Sequence, residues 1–137
     1  MKKRVIISLI AVALLLSTIV VPVSAARGGN PTIQPQWDNT ANIDCTISFD
    51  GDVGYAESVV KAQFGSSSIK TDIVVYKQVD SDWIYVTELH DTKNKMVSGV
   101  SCTFNAEVGS TYRADYTFTV TKSGIDEVIN RTVYKTY

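Results

Sequence analysis

Tyr112-Arg113-Ala114-Asp115-Tyr116-Thr117-Phe118-Thr119-Val120 alternates residue by residue between two kinds of side chain. Tyr112, Ala114, Tyr116, Phe118 and Val120 fall on one side of a two-residue repeat, and Arg113, Asp115, Thr117 and Thr119 on the other. That alternation is the pattern of a strand with one buried face. Gly109-Ser110 leads into this strand, Lys122-Ser123-Gly124 turns it, and 126–137 supplies the last strand. Upstream, Val100, Cys102, Phe104 and Ala106 alternate along another strand. Ile43, Cys45, Ile47 and Phe49 do the same before the tight-turn pair Asp50-Gly51.

The second strand runs from Tyr55 to Phe64, with Ala56, Ser58, Val60, Ala62 and Phe64 facing inward. A third, 69–79, carries Ile73-Val74-Val75-Tyr76, apolar on both faces as a central strand is. Asp80-Ser81-Asp82 turns into a short strand from Trp83 to Leu89, and 90–95 reads as a polar loop. No window carries a 3.6-residue apolar stripe, and Thr, Val, Ile, Tyr and Ser dominate. Seven short strands with regular turn signals make an antiparallel β-sandwich.

The chain opens Met1-Lys2-Lys3-Arg4, then runs apolar from Val5 to Val21, with Pro22 and Val23-Ser24-Ala25-Ala26 following. A basic start, an apolar centre and small residues at −3 and −1 predict a signal peptide over 1–25, cleaved after Ala25, with cleavage after Ala26 as the near alternative. The apolar run is just shorter than the roughly 18 residues that nominate a spanning helix. No Cys stands at the cleavage site and no apolar tail ends the chain, so no membrane anchor is expected after cleavage. Residues 26–41, with two Gly and two Pro near their start, read as an extended leader, and 42–137 as the sandwich domain.

Removing the signal takes Lys2, Lys3 and Arg4 and no acids. Ten cations then face fourteen acids, a formal charge of −4 against −1 for the whole chain. An acidic domain of this kind is not expected to bind nucleic acid. The expected location is secreted and extracellular.

Within that frame, Ala106-Glu107-Val108-Gly109-Ser110-Thr111-Tyr112-Arg113-Ala114-Asp115-Tyr116 resembles the E–F corner and F strand of fibronectin type III and related immunoglobulin-like domains. Tyr112 stands where the resemblance implies a corner tyrosine, tying its hydroxyl to the upstream turn. 75–79 and 82–86 similarly resemble a C–C′ hairpin. The layout is also similar to small secreted proteins of Gram-positive bacteria. Trp83 departs from the antibody pattern, because it follows Cys45 by 38 residues and falls in the C′ strand.

An exported chain with two cysteines invites a disulfide. With Cys45 on strand A and Cys102 on strand E of the layout that the resemblance implies, both face inward from the same sheet with strand B between them, roughly 9.6 Å apart. A bridge needs Cα atoms within roughly 7 Å. Either both thiols are free and packed as small apolar groups, or the first strand crosses to another partner and a bridge forms, contributing ~4 kcal/mol.

Catalytic signatures are missing. The one histidine, His90, reads as a solvated loop residue, and no nucleophile elbow, zinc-protease motif or phosphate loop occurs. With one His and two strand-bound Cys, a zinc site of ordinary ligands cannot be assembled, and no enzyme is expected. Asp50 and Asp52 flank one turn and Asp80 and Asp82 another. With Glu107 they would fall at one end of the sandwich and offer oxygen ligands for Ca²⁺, the one cofactor the sequence leaves open. The competing reading is that hairpin turns simply demand Asp.

Trp83 and Tyr85 share one face of the fourth strand, and they are the candidate ligand-binding residues. Exposed rings there would stack on sugars or anchor a protein. Alternatively they pack across the sheet on the stems of Arg113 or Lys77, or cap the core. The sequence therefore points to a secreted or cell-surface, non-enzymatic protein-interaction or structural module. A carbohydrate-binding module is the alternative, and the partner an extracellular protein or glycan.

Overall fold

A computed structural model describes residues 36–137. The signal peptide and most of the leader read from the sequence lie outside the described residues. Seven strands follow in order: β1 (Thr40–Asp50), β2 (Val53–Ala62), β3 (Ser66–Val79), β4 (Asp82–Lys93), β5 (Val97–Asn105), β6 (Thr111–Lys122) and β7 (Ile125–Thr136). All pairings are antiparallel. They form a three-stranded sheet, β1-β2-β5, and a four-stranded sheet, β4-β3-β6-β7.

The core lies between the two inner faces. β6 contributes Tyr112, Ala114, Tyr116, Phe118 and Val120, all buried, and β3 adds Ile69, Ile73 and Val75. From the other sheet come Ile47, Ala56, Val60, Val100, Cys102 and Phe104. The alternation written in the sequence thus becomes burial, because only the inner face of each sheet escapes water. Tyr116 spans the layers, and its hydroxyl donates to the Thr46 carbonyl at 2.8 Å. At one end Phe49, Phe104, Tyr112 and Tyr137 pack ring on ring, with centroids 4.7–6.4 Å apart.

Two tight turns carry backbone that ordinary residues resist. In the β6–β7 hairpin, Ser123 (φ 53°) and Gly124 (φ 77°) are both left-handed, the requirement of the two-residue turn that matches strand twist. Asp80 at the β3–β4 turn also has positive φ (55°), a conformation that Asp tolerates better than most.

Several boundaries differ from the sequence reading. Phe64 is 85% exposed instead of inward, because β2 ends at Ala62. Beyond it the chain leaves the sheet: the Gln63 N–H donates to the Asn39 carbonyl and Gly65 turns at φ 90°. His90 is not in a loop. β3 starts at Ser66, so β4 has partners as far as Lys93, and His90 pairs with Asp72.

β1 begins at Thr40, and the residues before it are held in place. The Asn39 side chain is buried and donates to the Val120 and Ile125 carbonyls at 2.9 and 3.0 Å. The Glu127 carboxylate accepts from the Asp38 and Asn39 amides and from the Thr40 hydroxyl at 2.7, 3.2 and 2.7 Å.

Candidate functional site

The outer face of the four-stranded sheet carries the most distinctive surface. Register places Tyr85 on β4 opposite Tyr76 on β3, Tyr76 opposite Arg113 on β6, and Arg113 opposite Tyr134 on β7. One row across all four strands therefore reads Tyr–Tyr–Arg–Tyr. Trp83 stands next to it on β4. The Arg113 guanidinium lies 4.4 Å from the Tyr76 ring centroid and 5.0 Å from that of Trp83. Trp83 leans on Tyr134 at 5.6 Å, and Tyr85 meets Tyr76 edge-on at 6.4 Å.

A single extra residue makes this surface. Val75 pairs with Thr87 but Tyr76 pairs with Tyr85, so Val86 is bulged out of register. In an unbroken strand Trp83, Tyr85 and Leu89 would share a face. The bulge reverses the alternation, so Val86 and Leu89 pack against the core while Trp83 and Tyr85 stay outside.

The patch is rigid in its centre and open at its ends. Arg113 also pairs with Asp115 at 3.1 Å, and its Nε is buried under the rings with no hydrogen-bond partner among the described residues. A guanidinium between two aromatic faces is held at about 0.5–2 kcal/mol per contact, more as water is excluded. Trp83 is half-buried, whereas Tyr85 and Tyr134 are 55% and 59% exposed. Tyr76 and Tyr134 were not among the candidates read from the sequence, and Tyr76 is the less visible of the two. It lies in an apolar run, and only the cross-strand register brings it under Arg113.

Further down the same face, His90 Nδ1 is 2.6 Å from Asp72 Oδ1, and its Nε2 is 3.5 Å from Glu88. Lys70 holds the other Asp72 oxygen at 2.9 Å. The hydrogen bond to Asp72 raises the imidazole pKa above its usual value, and the one to Glu88 adds to it. Burial works to raise the Asp72 pKa, but the bonds from His90 and Lys70 win and hold it below the ordinary carboxylate value. Both ring nitrogens are thus engaged by carboxylates, an arrangement of surface charge and not of a base facing a nucleophile.

The remaining sequence candidates sit elsewhere. Asp50, Asp52, Asp80 and Asp82 do not build an oxygen cage: among the described residues no three His, Cys, Asp or Glu side chains come together to hold a metal ion. The Asp50–Asp52 turn and Glu107 are engaged in other contacts. The Asp52 carbonyl accepts from the Ala106 N–H, Tyr137 donates to the Gly51 carbonyl, and Glu107 is taken by Lys77. Cys45 and Cys102 are free thiols on β1 and β5, with β2 between them. Burial pushes the Cys45 thiol up to about 11 and raises Cys102 as well, so both stay protonated and unreactive at neutral pH. The Tyr112 hydroxyl accepts from the Glu107 N–H at 2.9 Å, closing the corner before β6.

A shallow groove of about 350 Å³ lies on the outer face of the other sheet, lined by Asp44, Thr46, Glu57, Val59, Gly99 and Ser101 among others.

No protein-family model and no curated protein sequence matches the chain. Among solved structures, OgpA from Akkermansia muciniphila is similar over 73% of this chain and 30% of its own length, at 12% identity and TM-score 0.39. The curli protein CsgC of E. coli is similar over 66% of this chain and 95% of its own, at 12% identity and TM-score 0.39. The chain thus spans less than a third of OgpA.

Proposed function

We propose that this chain is a secreted or cell-surface, non-enzymatic interaction module, with the outer face of β4-β3-β6-β7 as its protein-binding surface. The fold reading that goes with it is an immunoglobulin-like, fibronectin type III-like sandwich. The strand order β1-β2-β5 over β4-β3-β6-β7 and the Tyr112 corner support that reading. Export rests on the segment 1–25.

One observation carries the binding proposal: Arg113 held between Tyr76 and Trp83, with Tyr85 and Tyr134 exposed on either side. Trp, Tyr and Arg are the residues that dominate binding energy at protein interfaces. Here they are ordered in advance, so little side-chain entropy is lost on docking. The carbohydrate alternative is weaker, because a sugar needs a free ring face and the Trp83 face is occupied by Arg113.

The test is capture of surface and secreted proteins by the purified chain, compared with a Tyr85→Ala/Tyr134→Ala variant. The partner's affinity should fall by at least tenfold, about 1.4 kcal/mol. Unchanged capture by the variant refutes this surface as the site. A glycan array hit abolished by Trp83→Ala would instead establish the carbohydrate reading.

A further inference from the structure

The sandwich has four edge strands, and three of them carry devices that discourage pairing with another chain. β4 is bulged at Val86 and bears Asp82, Glu88, His90, Asp91 and Lys93. β7 is overlaid at its start: residues 38–40 bond to Glu127, and Trp37 lies under the Arg131 guanidinium at 5.0 Å. β1 shifts register between Thr40 and Asn42 and carries Asp44 and Asp50 with no cation, so two copies would repel along it.

β5 has none of these. Val97-Ser98-Gly99-Val100-Ser101-Cys102-Thr103-Phe104-Asn105 contains no charge and no Pro, and pairs with β2 in unbroken register. Its hydrogen-bonding direction is fixed at both ends. The Met96 carbonyl accepts from the Ala62 N–H, and the Ala106 N–H donates to the Asp52 carbonyl. Even-numbered residues therefore turn their main-chain groups toward β2. Val97, Gly99, Ser101, Thr103 and Asn105 turn theirs to the open edge, and all five are exposed. Five consecutive donor–acceptor pairs, over roughly 30 Å of straight strand, have no partner among the described residues.

We propose that β5 is a self-association edge, pairing antiparallel with β5 of a second copy about a two-fold axis through Ser101. This goes beyond the aromatic face and does not depend on it. The occupant follows from the chemistry of the edge. In that register Val97 lies opposite Asn105 of the second copy, Gly99 opposite Thr103, and Ser101 opposite itself. Every pair joins two uncharged residues, and every outward N–H meets a carbonyl. The nearest like charges, Glu57 on each β2, are three strand spacings apart, about 14 Å, which exceeds the screening length of about 8 Å in physiological salt. A closed two-fold pair also removes both open edges at once.

The test is sedimentation of the purified protein over a dilution series, with three variants. The native chain should show a monomer–dimer equilibrium. Ser101→Pro removes an N–H that points to the open edge, so the monomer should fold normally, as judged by circular dichroism, while the dimer constant weakens by at least about tenfold. Ser101→Lys, which sets two ammonium groups opposite each other, should act alike. Ser101→Cys should cross-link to its own copy under mild oxidation, since hydrogen-bonded pairs bring Cα atoms to about 5.5 Å, the range a disulfide spans. A native chain that stays monomeric throughout overturns the proposal. So does a dimer that survives Ser101→Pro, or a Ser101 amide protected from solvent exchange in the monomer at high dilution.

Discussion

Replacing Asn39 by Ala removes a side chain that joins the start of β1 to the far hairpin of the other sheet. Two hydrogen bonds go, to the carbonyls of Val120 and Ile125. The site is 6% exposed, so water does not readily replace the lost donor. Each net bond is worth about 0.5–1.5 kcal/mol, and a stranded buried acceptor costs up to about 3 kcal/mol. The bond to the Val120 carbonyl is fully buried and the other partly so. The expected loss is therefore about 2–3 kcal/mol, or a fall in Tm of roughly 10–20 °C for a domain of about 100 residues. Urea unfolding should show a lower midpoint with an unchanged slope. Asn39→Asp sharpens the test: at neutral pH it sets a carboxylate against two carbonyl oxygens and beside Glu127, so it should be worse than Ala. It should then recover as acid protonates the new carboxyl and restores one donor. A change for Asn39→Ala within about 0.5 kcal/mol of native, the range of an ordinary surface substitution, would mean that the Asn39 bonds hold nothing and leave residues 38–40 as linker.

Thr71 is fully buried on the inner face of β3, and its hydroxyl has no hydrogen-bond partner among the described residues. Thr71→Val should keep the shape and remove a polar group that gains nothing, raising stability by about 1 kcal/mol in a denaturant titration. Ser123→Asn, at the first left-handed position of the β6–β7 turn, should add about 0.5–1 kcal/mol by relieving backbone strain, read as a higher Tm. The raised His90 pKa has a definite sign. Its stabilising contribution is fully present below the unfolded value near 6.5 and fades as pH rises through the folded value. The stability difference between native and His90→Gln should shrink over that window. A difference that grows with pH would contradict the Asp72 pairing. The lowered Asp72 pKa acts at the other end: its contribution is lost as pH falls through its folded value, below the usual 3.8.

Seven strands and their inward faces were legible because burial imposes a two-residue repeat on the sequence, as β6 demonstrates from Tyr112 to Val120. The strand order that separates Cys45 from Cys102 was readable only through the resemblance, because β2 and β5 pair without sharing a hairpin. The aromatic face was only half visible. Trp83 and Tyr85 announce themselves by type. Their union with Tyr76, Arg113 and Tyr134 depends on register across four strands, and on a bulge at Val86 that alternation conceals. Phe64 misled because an apolar residue in phase with a strand looks inward even where the strand has ended. Asn39 and Glu127 left no local signal: 88 residues separate them, and a polar residue near a Pro/Gly-rich segment resembles linker.

The clasp of residues 38–40 on Glu127 has a mechanical consequence. It sits at the β6–β7 hairpin pole, whereas Tyr137 stacks on Phe49 and donates to Gly51 at the opposite pole. β1 and β7 run side by side between these poles in the same direction. Tension applied through residue 36 and Tyr137 would slide the two strands past each other lengthwise, instead of peeling one away. The contacts of Asn39, Thr40 and Glu127 would then share the load simultaneously. A domain strung this way resists extension by shear, and it would yield first where the clasp opens.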